Sequence, residues 1–137
     1  MKTKEIIKQV VEKWGLPISN ETENGFIFRY QLNFVCVTGS DGDDKAVTLG
    51  ISGFFVAENA NEMFLALKTC NELNCNLLHT KLYIDEDADL IISSEFFFRT
   101  ESDMEHLLKM SLKSLITAKL CFNKKYDEFE SEAQRFS

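Results

Sequence analysis

Histidine is the side chain that most readily exchanges a proton near neutral pH. This sequence holds two, His79 and His106, with no second histidine placed to share a metal ion with either. Both read as structural or surface residues. Four cysteines stand at 36, 70, 75 and 121, and the closest pair, Cys70 and Cys75, is separated by four residues, too wide for a zinc knuckle or a redox motif. They are expected to be buried free thiols behaving as small hydrophobes. Asp85, Asp87 and Asp89 imitate the alternating oxygens of a calcium loop, but Leu90 stands where that loop needs glycine and Phe96 where it needs a bidentate acid. A solvated hairpin turn is the better reading. Asp41, Asp43 and Asp44 lack flanking helices and a distal Glu. Gly50-Ile51-Ser52-Gly53 lacks the spacing of a nucleophile elbow, no phosphate-binding glycine motif occurs, and no carboxylate pair stands out among the 22 acids. These residues give no expectation of an enzyme, a metal or a cofactor.

The composition narrows the partners. The 137 residues carry 15 basic and 22 acidic side chains for a net charge of −7, so nucleic acid and anionic membranes, which need clustered Lys and Arg, are not expected ligands. No apolar run is long enough to span a bilayer, and the N-terminal segment is interrupted by Lys8, Glu12 and Lys13 where a signal peptide would be unbroken. A cytoplasmic, reducing location is expected.

Stepping along the chain, Ile6, Ile7, Val10, Val11 and Trp14 recur at helical spacing, with Gly15 as a stop. Phe26 to Tyr30 alternates as a strand, Leu32-Asn33 reads as a bend, and Phe34 to Thr38 as a second strand. Gly39 to Asp44 is the clearest turn, and Ala46 to Phe54 follows with Val47, Leu49 and Ile51 on one face. Ala60, Met63, Phe64, Leu67, Cys70 and Leu73 then mark a second helix capped by Asn59. Thr80 to Asp85 and Asp89 to Thr100 form a hairpin. Ser102 and Glu105 match a capping box for a long last helix that continues amphipathically through Phe136. The expectation is a single α+β domain over residues 1–137, in the order α-β-β-β-α-β-β-α, with an antiparallel sheet of about five strands and helices packed on it.

Two surfaces stand out. Residues 59 to 101 hold three basic and eight acidic side chains, so the negative charge concentrates in the second helix and the hairpin. The second face of the sheet mixes apolar and polar groups, as a face meeting a partner part of the time would. Ile27, Arg29, Ile91, Glu95, Phe97 and Arg99 are its candidate partner-binding residues, alongside Gln31, Thr48, Ser52 and Ser93. The last helix offers more than one apolar stripe, which a homodimer or a wrapped C-terminal extension would use.

Several phrases carry a family resemblance: Glu12-Lys13-Trp14-Gly15-Leu16 closing the first helix, Phe26-Ile27-Phe28-Arg29-Tyr30, Cys70-Asn71-Glu72-Leu73-Asn74 closing the second, and Lys81 to Asp85 with Asp89 to Ile92. In these the chain resembles the YbjN-like family, whose fold is shared with the class I chaperones of type III secretion systems. The resemblance implies a protein-binding module, often dimeric, that holds an extended segment of a partner across its sheet or along its helices. A protein or peptide partner, with homodimerisation, is therefore the leading expectation. The alternative is a small-molecule binder or small enzyme with a pocket between the C-terminal helix and the sheet, recognisable by converging polar groups near His79, His106 or the acids.

Overall fold

The structure, a computed structural model, describes residues 1–136. Helix α1, Thr3–Lys13, buries Ile6, Ile7 and Val11 on one face. It stops at Gly15, whose φ of +73° no branched side chain would tolerate. The Gly15 N–H donates to Glu12 O and the Leu16 N–H to Val11 O, the paired bonds of a Schellman cap. Four strands follow: β1 (Ile18–Ser19), β2 (Gly25–Tyr30), β3 (Asn33–Gly39) and β4 (Ala46–Ile51). Then come α2 (Ala60–Asn76), β5 (Lys81–Ile84), β6 (Leu90–Phe97) and, after a single 3-10 turn, α3 (Met104–Arg135).

The six strands form one antiparallel sheet in the spatial order β1-β2-β3-β4-β6-β5. The fold class is the expected α+β, with one strand more than the five anticipated. The addition, β1, is two residues long, too short to show any alternation in sequence.

All three helices lie on one face. Helix α3 packs on β4 and β6, α1 on β3 and α3, and α2 on α3 and β5. Phe26, Phe28, Val35, Val37, Val47, Leu49, Leu90 and Ile92 point into this layer and are buried. Helix α3 is the centre of the core. Met104, Leu108, Leu112 and Leu115 are buried, while Leu107 packs partly covered against the same cluster. Much of the apolar surface of this helix is covered inside the chain, against α1, α2 and the sheet, while Met110 and Leu120 remain exposed. Phe55, Phe122 and Tyr126 form an aromatic cluster with ring centroids 5.0 to 5.7 Å apart. Beyond Phe129 the helix carries no buried side chain.

Local expectations shift in four places. The β2–β3 bend is Gln31-Leu32, because Tyr30 pairs with Asn33. The capping box of α3 does not form: Asp103 is already helical (φ −82°, ψ −17°), and no side chain caps the helix there. The extended residue is Thr100, whose hydroxyl instead donates to the Asp103 carboxylate at 2.8 Å. On α2 the buried face is Leu65, Ala66, Thr69, Cys70 and Leu73, leaving Phe64 and Leu67 exposed. Of the four thiols only Cys70 is buried; Cys36 and Cys75 are exposed and Cys121 is partly covered.

Candidate binding face

With every helix on one side, the other side of the sheet has no layer over it. Register fixes what that outer face presents. Ile27 pairs with Cys36, Cys36 with Gly50, Gly50 with Ser93 and Ser93 with Lys81, so these five form one row across the sheet. On one side of that row, Arg29 pairs with Phe34 and Ile91 with Tyr83. On the other, Thr38 pairs with Thr48, Thr48 with Glu95, and Ala46 with Phe97. The outward positions of the central strand β4 are thus Ala46, Thr48 and Gly50, all small, with Cys36 and Ser93 flanking Gly50, Thr38 and Glu95 flanking Thr48, and Phe97 beside Ala46. They form a shallow trough running along β4.

Apolar groups stand at the two ends of the trough, Phe34 and Ile91 beyond Gly50 and Phe97 beside Ala46. Phe34 is 63% exposed and Phe97 73%, while Ile91 is half-buried. Arg29 lies over the Phe34 ring, its guanidinium carbon 5.3 Å from the centroid, an arrangement that keeps both groups extended across the face. Lys81 and Glu95 pair at 3.1 Å near the β5 edge. This exposed pair orients its side chains without adding much stability.

Gly50 is the unusual member. A glycine inside a strand costs backbone entropy and side-chain packing, and usually marks a place where something else comes close. Its φ is not positive, and a Cβ built on it would meet only the Ile92 carbonyl oxygen, at an ordinary 3.6 Å. Nothing inside the chain requires the missing side chain. Gly39 makes the contrast, because a Cβ there would come within 2.5 Å of Thr3 Cγ2. The notch at Gly50 opens only outward.

The sheet edges, by comparison, are closed. β5 is four residues long, and the edge-facing backbone groups of Leu82, whose side chain is buried, are already satisfied: its N–H donates to Asn74 Oδ1 at 2.9 Å and its carbonyl accepts from Asn74 Nδ2 at 2.8 Å. Asn74, at the end of α2, does the work of a neighbouring strand and blocks pairing at that edge. The opposite edge is the two-residue β1.

Of the residues expected on the face, Ile27, Arg29, Ile91, Glu95 and Phe97 are brought together there, with Thr48 and Ser93 between them. Arg99 lies two residues beyond the end of β6 and is exposed, and Gln31 sits in the hairpin turn. Sequence reasoning missed Phe34, Cys36 and Tyr83. The alternation of Val35 and Val37, both buried, is the signal that would have turned Phe34 and Cys36 outward.

The groups that could do chemistry are dispersed. Among the described residues no cluster of three or more His, Cys, Asp or Glu is placed to hold a metal ion. His106 is exposed, and two hollows border His79, an open one of about 230 Å³ with Lys81 and Glu95 and a smaller one of about 80 Å³. The smaller is lined by the buried Ser94 and Ser111, whose hydroxyls bond to each other at 3.2 Å. The acidic hairpin uses its own carboxylates: Asp85 Oδ1 accepts from the Asp87 and Asp89 N–H groups, and Asp89 Oδ1 from the Gly53 N–H. Burial pushes the Cys70 thiol up to about 11, so it stays neutral and unreactive in the folded chain.

A two-layer α+β protein with one bare sheet face is the class this architecture defines. No family model matches the chain, and no curated protein matches it in sequence. Solved structures do share the fold. A crystal structure of an uncharacterised protein from Methanothermobacter thermautotrophicus superposes with a TM-score of 0.63 at 17% identity, covering 91% of this chain and 96% of that one. YbjN from E. coli, a candidate transcription regulator, superposes with a TM-score of 0.62 at 11% identity, covering 90% and 92%. The fold is YbjN-like. No helix among the described residues is long and apolar enough to cross a membrane.

Proposed function

We propose that this protein is a non-enzymatic interaction module that holds an extended segment of a partner protein along β4, on the bare face of its sheet. The observation that carries the reading is the notch at Gly50, which has room for a side chain and no internal reason to lack one. An extended chain laid in the trough brings its backbone close to Gly50 and its alternate side chains against Phe34, Ile91 and Phe97. Burying one such aromatic side chain fully is worth about 2 kcal/mol. Capture across the face is favoured over strand addition because Asn74 occupies the β5 edge and β1 offers only two residues. The acidic charge of residues 59 to 101 favours a segment of basic or neutral character. A chaperone-like holding role and a cytoplasmic setting are parts of the same proposal.

The test is to replace Ile91→Asp and Phe97→Asp together and measure capture of the native partner by pull-down, with circular dichroism as the folding control. Capture is expected to be lost while the spectrum is unchanged; capture at the wild-type level removes this face as the binding site. If the occupant is a second copy of the chain, sedimentation at micromolar concentration shows a species of twice 15.7 kDa that the double variant loses.

A further inference from the structure

On the helical side of the molecule a groove of about 560 Å³ lies between the end of α1, the β2–β3 turn and the middle of α3. That is the size of a small-ligand site, which typically measures roughly 300–1,000 Å³. Trp14 and Tyr30 stand on one side, both half-buried, with Leu112 and Ile116 of α3 as the floor. Lys109 and Lys113, one helical turn apart, rise along the α3 rim. No acidic residue lines the groove, although the chain as a whole has 22 acids to 15 bases.

The two ammonium groups are differently engaged. Lys109 shares Glu105 with Lys13: Glu105 Oε1 is 3.5 Å from Lys109, while Oε2 is 3.0 Å from Lys13. The Lys109 ammonium also lies 6.0 Å from the centroid of the Trp14 ring. Lys113 has no carboxylate partner within 4.0 Å among the described residues. An apolar slot with an aromatic wall and an under-neutralised cationic rim is complementary to a molecule with an apolar body and an anionic end. The groove faces away from the bare side of the sheet, so its occupant is independent of the partner segment.

We infer that this groove binds a small amphipathic carboxylate, its aryl or alkyl body against Trp14, Tyr30 and Ile116 and its carboxylate at Lys109 and Lys113. Trp14 is the only tryptophan in the chain and reports directly on occupancy. The probe is 4-phenylbutanoate, which does not absorb where tryptophan is excited, compared with its neutral isostere 4-phenylbutanamide. Titration of the intact protein should give saturable quenching or a blue shift of Trp14 emission with the carboxylate, weakening as salt is raised, and about fivefold weaker binding of the amide. The exposed pair Lys109→Gln and Lys113→Gln should weaken the carboxylate about fivefold and leave the amide unchanged. Equal affinity for acid and amide, an unaltered affinity in the double variant, or no emission change in wild type each overturns the inference. The comparison of acid with amide uses only the wild-type protein and holds whatever the variant's stability.

Discussion

Replacing Gly50→Val separates what the fold needs from what the binding face needs. In the structure a Cβ at this position has 3.6 Å of clearance to its nearest neighbour, the Ile92 carbonyl oxygen, and the cross-strand neighbours Cys36 and Ser93 are small. A Cβ therefore enters without displacing anything, and the methyl groups of valine extend outward from it past small neighbours. Removing the backbone freedom of glycine is worth about 0.5–1 kcal/mol, and the β-branched side chain packing between β3 and β6 adds a few tenths. The variant should be more stable by about 1 kcal/mol, raising Tm by roughly 4 °C for a chain of this size. Binding should move the other way. The added methyl groups fill the floor of the trough where a partner's backbone would lie, and a loss of about 1.4 kcal/mol, or tenfold, is the least expected. Thermal unfolding by circular dichroism and titration with the partner segment measure the two effects on the same sample, and Gly50→Ala should fall between. A valine variant that is stabilised yet binds as well as wild type refutes the idea that the notch serves a partner. One that is destabilised by more than 1 kcal/mol shows that the glycine has an internal role.

Three other outcomes follow from the same geometry. Gln31 and Leu32 both have positive φ, 47° and 65°, in a two-residue hairpin turn that favours Asn-Gly, so Gln31→Asn with Leu32→Gly should stabilise the protein by about 1–2 kcal/mol in urea unfolding; an unchanged midpoint contradicts this. Asn74→Ala removes both bonds to Leu82, and should cost about 1–2 kcal/mol and expose the β5 edge, seen as increased light scattering on mild heating; unaltered stability and scattering would show the edge needs no cap. The carboxyls of Glu21, held down by hydrogen bonds from Lys8 and then Lys4, and of Glu105, held down by Lys13, titrate below their ordinary 4.5, and that of Asp41, bonded by the Thr3 N–H, below 3.8. A lowered folded value means stability that is complete above the ordinary value and lost as pH falls through the lowered one, so Tm should decline below pH 4.5, and less steeply in Glu21→Gln; parallel acid profiles refute the Glu21 part.

The strands that build the face were legible because β4 alternates cleanly and the apolar residues of β6 fall in two registers. Val47, Leu49 and Ile51 read inward, and Phe97 stood among polar neighbours, as it does in the sheet. The α2 face was not legible, because Phe64 and Leu67 form a stripe as apolar as the buried one. The stripe that is actually buried includes Thr69, whose hydroxyl is satisfied by the Leu65 carbonyl at 2.7 Å, a bond that composition does not reveal. β1 is recruited by pairing to β2 rather than by any pattern of its own. Half of the trough was hidden for a related reason: a phenylalanine at 34 looks like core until the register opposite Arg29 turns it outward. The role of Asn74 depends on a contact eight residues ahead in the chain, which local signals do not carry.

Cys36 lies on the trough beside Gly50, and Cys75 sits on α2 away from it, both exposed. A photoreactive group placed on Cys36 with Cys75→Ser, and on Cys75 with Cys36→Ser, can be illuminated in extract of the native cell and the cross-linked peptides sequenced. Binding along β4 predicts that Cys36 attaches to one contiguous segment of one protein, and that Cys75 does not. The same products from both positions, or products from Cys75 alone, would contradict a partner held on the bare face of the sheet.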